Sequence, residues 1–173
     1  MRVPPPAAPL PPPRSPDRYR IALVCLGNIC RSSMAERVAR GWAEREGLSG
    51  VEFTSAGVSA EETGNPIDPR ARKVLTAHGY DAGNHRAKRI TASDIADADL
   101  VIGLEQFHVD RMRRQAPDAT HLHLLTDFDP DAEPGSGIDD PWYGGPEGFD
   151  DTLAAVEAAM PGVLGKVREL QRG

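Results

Sequence analysis

Cys25 and Arg31 stand six residues apart in Ile21-Ala-Leu-Val-Cys-Leu-Gly-Asn-Ile-Cys-Arg-Ser-Ser33, where an apolar strand pattern changes at once to helical periodicity. A strand that ends in a tight loop and opens a helix brings the N–H groups of the loop and of the first helical turn to one point. The helix dipole adds partial positive charge there, so the point suits a phosphate. The same field favours a thiolate over a thiol, and Cys25 is expected to be ionised and nucleophilic at neutral pH. Arg31 offers a guanidinium fork for two non-bridging phosphate oxygens, which an ammonium grips less well. The chemistry implied is phosphoryl transfer onto sulfur.

Other elements must position this junction. After the apolar run to Val24, the pattern predicts a helix over Ser32–Glu46 closed by Gly47, a strand over Val51–Ser55, a helix over Pro69–His78 with Gly79 after it, and a strand over Leu100–Leu104. A helix over Glu105–Gln115, a strand over His121–Leu125 and a last helix over Phe149–Leu170 follow, with Pro161-Gly162 an expected kink or break. In the first helix Met34, Val38 and Trp42, with Ala35, Ala39 and Ala43, share one face, while Glu36, Arg37, Arg40, Glu44 and Arg45 are expected to look outward. The alternation predicts an α/β three-layer sandwich with a four-stranded parallel central sheet and helices on both faces. Ligands are then expected at the carboxyl ends of the strands, where Cys25 lies.

The chain has 173 residues, 39% of them hydrophobic, enough for one domain with a real core over 19–173. Residues 1–18 hold eight of the sixteen prolines and no apolar period, so Met1–Arg18 is expected to be an extended, mobile leader outside the core. Within it Pro9-Leu-Pro-Pro-Pro-Arg14 has the spacing of a ligand for a proline-recognition domain, but such short patterns recur by composition alone, which favours a plain solvated leader. The net charge of −6 argues against nucleic acid and membrane surfaces as partners, and points to proteins or small anions. No apolar run approaches the ~18–20 residues that span a bilayer and no secretion signal stands out, so a cytoplasmic address is expected. Both cysteines, Cys25 and Cys30, lie in one loop and cannot staple distant segments. His121 and His123 lack metal-ligand companions and read as strand residues, so neither metal nor cofactor is expected.

Val24-Cys-Leu-Gly-Asn-Ile-Cys-Arg-Ser-Ser-Met-Ala-Glu36 and the distant Asp140-Pro-Trp-Tyr-Gly-Gly145 together resemble the low-molecular-weight protein tyrosine phosphatases. Thr54-Ser-Ala-Gly57, Gly64-Asn-Pro-Ile-Asp-Pro-Arg70, His78-Gly79 and Asp127-Phe-Asp-Pro130 extend the likeness over nearly everything after Tyr19. The resemblance implies hydrolysis of phosphotyrosine in proteins through a cysteinyl phosphate on Cys25. A phenolate leaves faster when its oxygen is protonated in the transition state. By resemblance Asp140 supplies that proton and later activates water, with the adjacent Asp139 as its rival. Residues 126–151 carry nine acidic side chains and no lysine or arginine, so most of these carboxylates read as a solvated loop.

The same resemblance places Leu26, Gly27, Asn28, Ile29, Cys30 and Ser32 around the phosphate. Gly27 is expected to take a positive φ and let the backbone come close. The Asn28 side chain is implied to hold the loop open, with Ser55 and His78 supporting it. Ser32 has two readings, a helix-start residue and a hydroxyl donor to the Cys25 sulfur. Cys30 also has two: a resolving thiol that captures oxidised Cys25 as a disulfide, or a small apolar filler beneath the loop. Trp142 and Tyr143 are expected to wall the cleft and favour a phosphotyrosine side chain over phosphoserine.

Ser33 stands where the family usually has proline, and Glu61 where many members have an aromatic rim residue. Glu61 and Glu62 are expected to prefer basic substrate flanks. Arginine phosphatases of the family carry threonine at the place of Ile29 and lack the paired aromatics, so Ile29 favours tyrosine. Arsenate reductases of this fold need cysteines downstream of Cys30, which this chain lacks. A non-catalytic phosphotyrosine-binding module would retain Arg31 but lose the nucleophile or the acid, and both are present.

Overall fold

Strand β1 (Tyr19–Cys25) is hydrogen-bonded along both edges, and everything else is laid around it. The computed structural model describes residues 10–15 and 17–172. β1 is followed by α1 (Arg31–Arg45), β2 (Val51–Gly57), α2 (Pro69–Ala77), the short α3 (Ala92–Asp97), β3 (Leu100–Gly103), α4 (Gln106–Gln115), β4 (Leu122–Leu124) and α5 (Glu147–Arg172). Single 3₁₀ turns occupy Leu125–Phe128 and Pro141–Tyr143. The strands pair in parallel in the order β2-β1-β3-β4.

Both sheet faces are covered, so β1 is apolar at nearly every position instead of alternating with polar residues. Tyr19, Ile21, Leu23 and Cys25 join one core with α1, α2 and α5, while Ala22 and Val24 join the other beneath α3 and α4. This is the three-layer α/β sandwich with a four-stranded parallel sheet that the alternation predicts. From β1 the chain crosses to β2 on one side and, after returning, runs through β3 to β4 on the other. The strand order therefore reverses between β1 and β3, and the carboxyl ends there open a crevice.

Several expectations change in detail. α5 runs through Pro161 without a break. At the next residue, Gly162, a Cβ would collide with the Phe128 carbonyl oxygen, so the helix backbone packs directly on that turn. Glu36, expected on the outer face of α1, is buried because Ser55 and the Arg37 and Arg40 guanidinium groups surround its carboxylate. β4 begins one residue after His121, whose buried Nε2 donates to the Ile95 carbonyl at 2.6 Å. α3 arises from a Thr91–Asp94 capping box, with Ile95 its one buried residue.

The leader also differs from expectation in its described part. Leu10 is buried in the core, and the Tyr19 hydroxyl donates to the Pro11 carbonyl at 2.9 Å. The Arg14 N–H donates to Asp99 Oδ1 at 2.7 Å, and its guanidinium meets the Ala96 carbonyl. Burial, then the Asp99 charge, pushes the Tyr19 phenol upward. Leu10 to Arg14 thus lies on the chain's own body, which does not support a proline-recognition partner there. The expectations for residues 1–9 and for Pro16 lie outside the described residues.

Candidate active site

Cys25 closes β1, Arg31 opens α1, and the five residues between them turn around the pocket. The loop is held by its carbonyls. Val58 N–H donates to the Cys25 oxygen at 2.9 Å, Ser59 N–H to Leu26 at 3.0 Å, Asp68 N–H to Ile29 at 2.9 Å and Met34 N–H to Cys30 at 2.9 Å. His85 Nε2 donates to the Asn28 carbonyl. A trans peptide sets each carbonyl opposite the next N–H, so these outward carbonyls turn the amides of Leu26, Gly27, Ile29, Cys30 and Arg31 inward. The amide of Asn28 donates to Cys25 Sγ at 3.3 Å.

The tight turn is made by Asn28, at φ 63°, and not by Gly27 as expected. Asparagine tolerates this left-handed region better than most residues. Its side chain stabilises it further: Nδ2 donates to Ser32 Oγ and Ser55 Oγ, each at 2.9 Å, and Oδ1 accepts from Lys88 N–H at 3.0 Å. The close approach falls on another glycine. A Cβ on Gly57 would stand 2.6 Å from the Leu26 oxygen, so the loop rests directly on the end of β2.

Asn28 and Ser32 are fully buried beneath the loop and do not line the cleft. Ser32 Oγ lies 3.0 Å from Cys25 Sγ, and α1 has no side-chain cap. Ser33, in the usual proline position, donates its hydroxyl to the Cys30 carbonyl at 2.9 Å. Ser55 accepts from Asn28 and donates to Glu36 Oε1 at 2.6 Å. His78 is displaced from its expected role: it caps the exposed end of α2 and its Nδ1 donates to Val74 O at 2.9 Å. His85 is the histidine that reaches the loop.

Arg31 is 2% exposed and gathers groups from across the crevice. Nη1 donates to the Ile138 carbonyl at 2.7 Å and meets the Glu105 carboxylate, and Nη2 lies 3.6 Å from Asp140 Oδ2. His108 Nε2 stands 3.5 Å from the same Nη2. His108 Nδ1 accepts from the Glu105 N–H at 3.0 Å. Burial first, then the charges of Arg31 and Arg111, pulls His108 down to about 3, so the ring is neutral across ordinary pH.

Cys25, Leu26, Gly27, Ile29, Cys30 and Arg31 line the cleft together with Asp140, Trp142, Tyr143, Ser59, Glu61 and Glu62. Asp140 caps the 3₁₀ turn by accepting from Trp142 N–H at 3.0 Å. Tyr143 is 84% exposed at the rim. Asp139 is exposed and outside the cleft lining. Burial, then the charges of Asp68, Cys25 and Asp140, pushes the Cys30 thiol upward, which keeps it protonated at neutral pH.

Glu105, His108 and His85 were not singled out from sequence. Glu105 follows the carboxyl end of β3, beside the point where strand order reverses, and that position was itself a signal. His85 lies between α2 and α3 in a stretch with no periodicity, and nothing local marks it.

Inward amides around a buried sulfur are arranged as an anion-binding α/β site would require, with a thiol at its base. Residues 20–172 match the family described as low molecular weight phosphotyrosine protein phosphatase. A low molecular weight protein-tyrosine-phosphatase of Streptomyces coelicolor is 44% identical over 161 residues, covering 90% of this chain and 97% of the relative. The crystal structure of YfkJ from Bacillus subtilis aligns with a TM-score of 0.83 at 26% identity, over 90% of this chain and 98% of that one. The arginine phosphatase YwlE, in a mutant with a phosphorylated active site serine, aligns with a TM-score of 0.80 at 27% identity, over 89% and 99%. The chain belongs to the low molecular weight phosphotyrosine protein phosphatase family and is a protein-tyrosine-phosphatase, a phosphoric monoester hydrolase. Among the described residues no helix is long and apolar enough to cross a membrane.

Proposed function

We propose that this chain hydrolyses phosphotyrosine in proteins by two displacements at phosphorus. The phosphate seats in the loop, where the amides and Arg31 bind its non-bridging oxygens. Cys25, as the thiolate, attacks phosphorus, and the bond to the phenolic oxygen breaks as Asp140 gives that oxygen a proton. Asp140 then takes a proton from water, which attacks the cysteinyl phosphate and releases inorganic phosphate. Ser32, 3.0 Å from the sulfur, donates to the departing thiolate.

The observation that carries this reading is Asp140 Oδ2 lying 3.6 Å from Arg31 Nη2 at the rim of the cleft that Cys25 floors. The acid thus stands beside the residue that grips the phosphate, on the side where the leaving oxygen must emerge. Ile29 on the floor and the Trp142 and Tyr143 rings at the rim favour an aromatic leaving group over phosphoarginine. Hydrolysis of an aryl phosphate in chelator, blocked by vanadate and abolished in Cys25→Ser, is the expected result. Rapid quenching should trap phosphate on sulfur, and its absence during turnover rejects the route. Phosphotyrosyl, phosphoarginyl and phosphoseryl peptides compared side by side test the substrate class.

A further inference from the structure

Asp140 sits on a connection outside the regular elements, yet a general acid must meet the leaving oxygen within hydrogen-bond reach. Something has to fix that connection relative to the phosphate loop. The Ile29 carbonyl, on the loop itself, accepts from the Asp68 N–H at 2.9 Å. Asp68 is buried, and its carboxylate accepts from the Arg70 N–H at 2.8 Å, from Nε at 3.1 Å and from Nη2 at 2.9 Å. Although burial pushes Asp68 upward, these bonds and the Arg70 charge hold it below its usual range, so the pair stays ionised near neutrality.

The guanidinium so held lies over two rings, with Cζ 5.1 Å from the Trp142 centroid and 4.6 Å from the Phe149 centroid. Nη1 also donates to the Trp142 carbonyl at 3.4 Å. The Trp142 N–H in turn donates to Asp140 Oδ1. A planar, delocalised cation can stack and fork at once, which a lysine cannot reproduce.

We propose that Arg70 is a positioning residue for the general acid, tying the floor of the phosphate loop through Asp68 to Trp142 and so to Asp140. The proposal rests on the assignment of Asp140 as proton donor. Arg70 touches no reacting atom. Its removal frees the 3₁₀ turn at Pro141–Tyr143 and lets the carboxyl drift, and a drift near 1 Å costs on the order of 100-fold where proton transfer is needed.

The test is a series of aryl phosphates whose leaving phenols range from strongly acidic to weakly acidic. Loss of the acid makes kcat/KM depend more steeply on the leaving group, because only poor leaving groups need the proton. Arg70→Gln is expected to lose about 10- to 100-fold on phenyl phosphate and under about 3-fold on a dinitrophenyl phosphate. Arg70→Lys should restore part of the loss. Asp68→Asn retains a good helix cap while releasing the guanidinium, so it should steepen the series in the same direction and carries the test if Arg70→Gln fails to fold. Equal losses across the series in both variants, with Asp140→Asn itself steep, overturn the role of Arg70 alone. A flat series in Asp140→Asn overturns the acid assignment and this proposal with it.

Discussion

The Ser55 hydroxyl donates to the buried Glu36 carboxylate at 2.6 Å, and that single bond orders the ground beneath the loop. With its proton committed to Glu36, the Ser55 oxygen can only accept, and it accepts from Asn28 Nδ2. Asn28 is thereby held in its left-handed conformation, and the loop with it.

Ser55→Ala therefore leaves a buried amide proton and a buried carboxylate oxygen each short of a partner. Such orphaned groups cost about 1–3 kcal/mol, which denaturant titration should register as a lower midpoint at unchanged slope. The kcat should fall as well. Unchanged stability would mean that the Glu36–Ser55–Asn28 chain is not under load.

Gly57→Ala should displace the loop more directly, because the new Cβ would lie 2.6 Å from the Leu26 oxygen and 3.2 Å from the Asn28 nitrogen. Backbone atoms cannot swing aside as a side-chain tip can. We expect a loss of kcat/KM on the order of 10- to 100-fold, in keeping with the cost of a misplaced site, together with a lower Tm. Wild-type kinetics in this variant would show that β2 does not set the loop's position.

Glu61 and Glu62 line the same cleft as Trp142 and Tyr143, and no lysine shares that lining. Phosphotyrosyl peptides with basic flanks should show higher kcat/KM than acidic ones at low ionic strength, and the gap should shrink as salt screens it. Changing both residues to lysine should invert the order. Equal turnover of the two peptide classes by the wild type would remove the rim from any account of specificity.

His108 gives a stability signature with a definite sign. Folded, it resists protonation until about 3, whereas in the unfolded chain it takes a proton near 6.5. Its contribution is thus complete above 6.5 and declines as pH falls toward the folded value. Between pH 6.5 and 5 the loss is on the order of 2 kcal/mol, and His108→Asn should abolish that part of the slope in unfolding free energy. Identical slopes in the two proteins would show that the ring is not held neutral.

What could be read without coordinates was whatever is written in short covalent spacing or in an unbroken apolar period. Cys25 and Arg31 lie at the junction of β1 and α1 because strand and helix periods meet there in the sequence, and the parallel sheet follows from the same alternation. Contacts between distant segments left weaker marks. His78 beside Gly79 has the look of a supporting residue, yet it is His85, in an aperiodic stretch, that reaches the loop. Glu36 falls on the polar side of its helix by period but is buried by partners on β2 and on its own helix. α3 escapes notice because six residues with one buried position carry no period. Leu10 reads as leader by composition, and only the packed body reveals a place for it.

The loop's outward carbonyls are held by Val58, Ser59, Asp68 and His85, all of which lie outside the loop itself. The anion cradle is consequently preorganised: its dipoles are already aligned when a dianion arrives. In the reaction proposed above, donors held in this way need little reorientation as charge moves from phosphate to leaving oxygen, whereas bulk water must reorient.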